Sequence, residues 1–277
     1  MIQQPHRARI KALGSMLAAL ALAMGSAYAP AAFSAPICTV VVDSLSGKTL
    51  HREGPCDVRS SPASTFKIAL ALMGFATGDL QTPHAPVLPY QQSYKASMKQ
   101  WQHDTDPTSW LRDSVVWYSQ KLTQAMGLAT IQQYLADFSY GNQDFRGEAG
   151  KHDGLTRAWL SSSLRISPDE QIELLRKIQQ RQLSLPDSAY VFTQGSMPVF
   201  PVKEGWTLYG KTGNAYQRNG DGSINEDRQI GWFVGWATHG DRAVTFARLI
   251  KDEQKQPGYA SLRARDSLLA DLPAWLP

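Results

Sequence analysis

Ser64-Thr65-Phe66-Lys67-Ile68-Ala69-Leu70-Ala71-Leu72-Met73-Gly74-Phe75-Ala76-Thr77-Gly78 is the stretch of this 277-residue chain around which the rest falls into place. Phe66, Ile68, Ala69, Leu72, Met73 and Phe75 recur at helical spacing, Pro62 suits a helix start and Gly78 suits an end. The pattern predicts an apolar helix over 64–80. Ser64 and Lys67 stand three residues apart and therefore share a face of it. Serine is a poor nucleophile until a neighbour takes its proton, and a lysine kept neutral by apolar surroundings can take it. The first helical turn also leaves backbone N–H groups free for a developing oxyanion. Alone, a Ser-x-x-Lys arises about once by chance in a chain of this length. An ordinary helix terminus with a surface lysine would fit it equally well.

Upstream, Val40-Val41-Val42 and Thr49-Leu50-His51-Arg52 read as two strands of a hairpin turning at Ser46-Gly47. A turn centred there pairs positions summing to about 93, which sets Cys38 almost opposite Cys56. In an oxidising compartment the two would bond, and closing that loop would stabilise the fold by about 3 kcal/mol in the chain-entropy model. Two reduced buried thiols are the plainer reading; neither has the company of a nucleophile or a zinc site.

Downstream, the prolines at 83, 86, 89 and 107 make 81–110 mostly loop, followed by helical patterns over 111–126 and 128–138. A glycine-rich polar loop comes next, then a strong helix over 168–182 with Ser167 as its N-cap. The period then changes to that of strands at 206–211, 230–236 and 243–250, before a final helix over 261–272. Strands at both ends with helices between predict an α+β chain. One sheet is built from both termini, with an all-helical insertion over about residues 80–190.

Composition narrows the function. Hydrophobic residues make up 43% and charged residues 19%, which excludes disorder and fibrous architecture. Residues 1–37 hold Arg7, Arg9 and Lys11 and no acid, so removing these three charges from the formal +4 leaves +1. No overall positive field remains to recruit nucleic acid or anionic lipid. Those basic residues, the apolar run 13–24 and the small residues after it predict an export signal over 1–35, cut somewhere between 27 and 35. The mature domain would then be 36–277. The six histidines form no ligand pair, and His103-Asp104 with Asp106 is the nearest approach to a metal cluster, so no metal site is expected. Gly210-Lys211-Thr212-Gly213 lacks the earlier spaced glycine of a P-loop.

Three further short motifs raise the weight of Ser64 and Lys67. Ser114-Val115-Val116 sits in the next long helical region, Tyr140-Gly141-Asn142 follows it, and Lys211-Thr212-Gly213 ends a predicted strand. Each has a dull reading as a cap, a turn or a strand end; together and in this order they are hard to obtain by chance.

With these motifs the chain resembles the active-site-serine β-lactamases and penicillin-binding proteins, and most closely the class D β-lactamases, or oxacillinases. The resemblance covers Cys38 to the C-terminus and includes Trp159-Leu160 ahead of Leu164-Arg165-Ile166-Ser167. The Ser-Asp-Asn and Glu-x-x-Leu-Asn motifs typical of class A are missing, and class C lacks the Trp-Leu segment.

The resemblance implies a β-lactamase/transpeptidase-like fold with the active site between sheet and helices. Ser64 would attack the lactam carbonyl, with the N–H groups of Ser64 and Asn214 as the oxyanion hole. Lys67 would be modified by CO2 to a carbamate that serves as base in acylation and deacylation. Trp159 would donate to that carbamate, and Val116 and Leu160 would limit water entry above it. Ser114, helped by Lys211, would relay a proton to the leaving nitrogen. Lys211, Thr212, Gly213 and an arginine would bind the substrate carboxylate; Arg265 fits the terminal helix best and Arg263 is close behind. Trp101 matches an aromatic at the substrate entrance, and Tyr140 and Asn142 would shape the pocket.

The resemblance further implies a resistance enzyme that hydrolyses β-lactams in the periplasm of a Gram-negative bacterium. It would need CO2 but no other cofactor, act without an obligate protein partner, and exist as a monomer or weak dimer. Two rivals share the acyl-enzyme: a penicillin-binding DD-peptidase or transpeptidase, and a β-lactam sensor that acylates without turnover. Two departures bear on substrate range: Ala158 stands where a larger aromatic is common, and the segment 214–229 is polar with Asn219-Gly220-Asp221-Gly222 at its tip.

Overall fold

The computed structural model describes residues 37–277, so the expected export signal lies outside the described residues. Six strands form one antiparallel sheet: β1 (Cys38–Asp43), β2 (Thr49–Glu53), β3 (Val199–Phe200), β4 (Thr207–Arg218), β5 (Ile224–His239) and β6 (Arg242–Lys251), in the order β2-β1-β6-β5-β4-β3. Both ends of the described chain therefore contribute to it, as their strand-like composition predicts. The helices are α1 (Phe66–Thr77), α2 (Pro107–Asp113), α3 (Val116–Met126), α4 (Leu128–Asp137), α5 (Gly154–Arg157), α6 (Pro168–Gln179), α7 (Asp187–Ser196) and α8 (Ala260–Asp271). Among the described residues, no helix is long and apolar enough to cross a membrane.

The two faces of the sheet bury different sets of side chains. Val40, Val42, Trp232, Val234, Trp236, Ala247 and Leu249 share a core with α1 and the helices beyond it. Val41, Phe233, Ala237, Val244 and Phe246 pack against Ala260, Ala264 and Leu268 of α8. This alternation is the period-2 pattern of a sheet covered on both sides. At Gly231 the start of α8 approaches so closely that a Cβ would lie 2.2 Å from the Ala260 carbonyl carbon. Residues 66–75 of α1 are all buried, which is why its apolar residues run all round rather than along one stripe.

Four expectations need adjustment. The α-helix of the first motif begins at Phe66 and ends at Thr77, with Gly78 left-handed; Ser64 sits in a preceding 3-10 turn, Ala63–Thr65. The helical pattern 111–126 is broken at Ser114, which is left-handed (φ 60°) between α2 and α3. The hairpin pairs Val40 with Arg52 and Val41 with His51, so its register sum is 92, and a bulge follows at Val42. In that register the place opposite Cys38 falls to Gly54. Cys56 reaches Cys38 from the turn beyond β2, and the two form a disulfide with Cα atoms 5.1 Å apart. Finally, α7 falls in a stretch to which the sequence assigns no element.

The helix over 168 onward starts as expected. Ser167 Oγ accepts from the Glu170 N–H at 3.2 Å, the Glu170 carboxylate accepts from the Ser167 N–H at 2.8 Å, and Pro168 occupies the first helical position.

Candidate active site

Three separate segments converge on β4: the turn bearing Ser64, the segment at Ser161 and the break at Ser114. The 3-10 turn bearing Ser64 abuts Gly213, where a Cβ would lie 2.8 Å from the Pro62 carbonyl oxygen and 3.0 Å from the Thr65 nitrogen. Any side chain at 213 would push the nucleophile's turn off the strand. Tyr216 N–H donates to Ser161 Oγ at 2.9 Å across the open edge of β4. Strand N–H groups alternate in direction, so the Asn214 N–H, two residues earlier, points out of the same edge beside the Ser64 turn. The Asn214 side chain is engaged elsewhere, accepting from the Ser261 N–H at 3.1 Å.

Two lysine–serine pairs occupy the site. Lys67 Nζ lies 3.1 Å from Ser64 Oγ, and Lys211 Nζ donates to Ser114 Oγ and to the Thr212 carbonyl, each at 3.0 Å. Lys67 is fully buried and Lys211 is 1% exposed. Burial holds the Lys67 amine well below the ordinary lysine range, and the positive charge of Lys211 lowers it further. Burial alone brings Lys211 down to about 7. That each pair sits within electrostatic reach of the other makes one site of them.

The surrounding residues divide by what holds them. Trp159 is completely buried, packed against Phe66 and Phe145, and its indole N–H has no hydrogen-bond partner. A buried donor without an acceptor is costly unless something else fills the place. Val116 opens α3 immediately after the Ser114 break, and Leu160, half-buried, packs on the core next to Trp159. Tyr140 is buried edge-on to Phe66, and burial raises its phenol pKa strongly. Asn142 ties the loop after α4 to the segment after Trp159. Its side chain donates to the Ser163 carbonyl (2.8 Å) and accepts from the Arg165 N–H (2.9 Å).

Trp101 is anchored beside Ser114: its indole donates to the Asp113 carbonyl at 2.9 Å and its own carbonyl accepts from the Trp117 indole. Arg263 is committed to the buried carboxylate of Asp252, with contacts of 2.6 and 2.7 Å, which removes it as a ligand for substrate. Arg265 lies on the face of α8 that begins with Ser261, over the Phe200 ring, and its Nε donates to Asp266.

His103, Asp104 and Asp106 do not gather into a cluster. Asp106 caps α2, Asp104 accepts from the Tyr90 N–H, and His103 faces Asp113. Among the described residues there is no group of three or more His, Cys, Asp or Glu suited to a metal.

Two site residues escape sequence reasoning: Ser61 and Ser161. Ser61 Oγ donates to the Trp159 carbonyl and accepts from the Ser161 N–H, both at 2.9 Å. Such bonds to the backbone leave no periodic trace, and the nearest signal is the proximity of Ser61 to Ser64.

A serine beside a buried lysine, backbone donors at a strand edge and a second lysine–serine pair define a serine acyl-transfer enzyme. Residues 18–274 match the penicillin-binding-protein transpeptidase domain family. The β-lactamase OXA-9 of Klebsiella pneumoniae is 42% identical over 237 residues, covering 85% of this chain and 86% of its own. The crystal structure of the class D β-lactamase OXA-427 superposes with a TM-score of 0.81 at 43% identity, over 86% of this chain and 97% of the other. The C-terminal domain of the Bacillus licheniformis BlaR penicillin receptor is more distant, with a TM-score of 0.75 and 28% identity over 88% and 93%. The chain belongs to the class D β-lactamases, a family of serine hydrolases within that transpeptidase superfamily.

Proposed function

We propose that this chain hydrolyses penicillin-type β-lactams through a Ser64 acyl-enzyme, with Lys67 carbamylated by CO2. The observation that carries the proposal is a fully buried lysine, held well below its usual basicity 3.1 Å from Ser64; the Trp159 ring packs on the neighbouring Phe66, and its buried indole N–H has no partner. A neutral amine is the form that adds to CO2: its nitrogen bonds the carbon, and its surplus proton leaves to water. The resulting anion would otherwise be stranded in a dry pocket, and the Trp159 donor fits that need. When present, the carbamate supplies a carboxylate-like base in place of an amine.

The residues then divide the work. Ser64 loses its proton to the base at Lys67, its Oγ bonds the lactam carbonyl carbon, and the C–N bond of the ring breaks. Ser64 and Asn214 N–H groups hold the oxyanion. Ser114, backed by Lys211, relays the proton that the base took from Ser64 to the departing nitrogen, which frees the base for the second half of the reaction. Water, deprotonated at Lys67, then attacks the ester; the C–O bond breaks and Ser64 recovers its proton. Val116 and Leu160 restrict how much water reaches that base. Lys211, Thr212, Gly213 and Arg265 bind the substrate carboxylate, and Trp101 flanks the substrate.

Export to the periplasm, supported by the N-terminal sequence and the cysteine pair, and action as a monomer or weak dimer complete the reading. Hydrolysis is favoured over sensing because OXA-9 and OXA-427 stand at 42–43% identity and the BlaR domain at 28%. The test is turnover of a chromogenic penicillin-type substrate after CO2 depletion, with and without bicarbonate. Loss of rate restored by bicarbonate is expected; a rate indifferent to both rejects the carbamate.

A further inference from the structure

Ser161 is heavily engaged beside the site, and no catalytic step uses it. Its backbone is left-handed (φ 55°), a conformation that costs a non-glycine residue about 1 kcal/mol or more, and only 9% of it is exposed. All three of its polar groups are taken: its N–H donates to Ser61 Oγ, its Oγ accepts from the Tyr216 N–H, and its carbonyl accepts from Arg218 Nε, each at 2.9 Å. Ser61 completes the strut, donating to the Trp159 carbonyl at 2.9 Å while its own carbonyl accepts from the Trp232 indole at 2.9 Å.

The segment 159–161 is thus clamped at both ends onto Ser61, three residues before the nucleophile, and onto β4 two and four residues after Asn214. The segments that present the two oxyanion donors also hold Trp159 and Leu160. The Trp159 indole cannot orient itself through its own N–H, which is unpartnered; ring packing and this backbone clamp fix where it points.

We propose that Ser161 is a positioning residue for the hydrolytic half of the reaction: with Ser61 it sets the aim of the Trp159 indole and the seat of Leu160 relative to Lys67. The role rests on the proposed carbamate at Lys67, whose retention depends on a correctly aimed donor. Groups that orient a ligating or donating residue in this way are worth about 10- to 100-fold. Acylation is affected less, because Ser64, Asn214 and Lys211 keep their own contacts.

Ser161→Gly separates positioning from folding. Glycine adopts this backbone freely, so relief of strain offsets the lost Tyr216 bond. The measurements are acylation burst and steady-state turnover of a chromogenic lactam at saturating bicarbonate, the bicarbonate concentration giving half-maximal rate, and Tm. Acylation within about twofold of wild type, deacylation about tenfold slower and a bicarbonate requirement about tenfold higher are expected, with Tm nearly unchanged. Ser61→Ala, which removes both the acceptor for Ser161 and the donor to Trp159, should give the same pattern and decides the matter if the glycine variant does not fold. A folded variant with wild-type deacylation and bicarbonate requirement overturns the role, as does an equal loss in both half-reactions. If wild type itself ignores bicarbonate, the carbamate falls separately, and Ser161 is then judged on the split between acylation and deacylation alone.

Discussion

Lys67 and Lys211 occupy neighbouring regions with nearly the same local geometry, a buried amine 3.0–3.1 Å from a serine hydroxyl, yet they are built differently. Lys67 meets Ser64 across one turn of chain, on the start of a helix buried on all sides. Lys211 meets Ser114 across 97 residues, from an edge region of the sheet to a left-handed break between two helices. Lys211 also donates to the Thr212 carbonyl, an acceptor that helps a cation. Lys67 has Ser64 alone and feels the charge of Lys211, and Phe66 beside it packs on Trp159, whose buried indole N–H has no partner. Desolvation leaves Lys211 near 7, able to carry a proton either way at neutral pH; desolvation and the charge of Lys211 together hold Lys67 well below the ordinary lysine range. The difference teaches that burial alone lowers one amine, whereas burial beside a second positive charge lowers the other, and it is this second amine to which the proposed carbamate is assigned.

Three substitutions test this contrast, the largest effect first. Lys67→Ala removes the base for both half-reactions and should reduce turnover by about 10³-fold or more, whereas Lys211→Ala should cost less and raise KM as well. Equal losses with unchanged KM would erase the distinction. Trp159→Phe keeps an aromatic ring but deletes the donor; deacylation followed by burst kinetics should slow by about 10- to 100-fold while acylation changes little. A wild-type burst profile would show that the indole N–H serves nothing at Lys67.

The smallest effect is on stability. Lys211 has a pKa of about 7 in the folded chain against an ordinary 10.5, so between these values the unfolded chain binds a proton that the folded chain lacks. Stability contributed at this site therefore rises with pH across that window, and the penalty is complete below it. Lys211→Met escapes the penalty: its Tm should exceed that of wild type below pH 7, with the margin narrowing as pH approaches 10.5. A margin that widens with pH would contradict the buried, uncharged lysine.

What was legible in the sequence follows the range of the interactions. Ser64 and Lys67 meet by helical spacing, and the Ser167–Glu170 cap is written in four consecutive residues, so both are visible locally. Two strands near the N-terminus and three in the C-terminal third predict one shared sheet because their strand-like composition marks them. The break at Ser114 was hidden because Leu111, Val115, Tyr118, Leu122 and Met126 recur at helical spacing with no Gly or Pro to mark a stop, and only the tertiary contact with Lys211 accompanies the turn. The hairpin register slipped because the turn begins earlier than Ser46-Gly47 suggests and a bulge follows Val41. The partnership of Ser114 with Lys211 was accessible only through family resemblance, and the strut through Ser61 and Ser161 not at all, being made of bonds to backbone atoms.

The account's central claim concerns the chemical state of one amine. Carbon-13 NMR of the protein equilibrated with 13C-labelled bicarbonate near neutral pH tests it without substrate. A protein-bound carbamate resonance that is absent from Lys67→Ala and fades on mild acidification is predicted. A spectrum without that resonance, from enzyme that still turns over its lactam, would contradict the account.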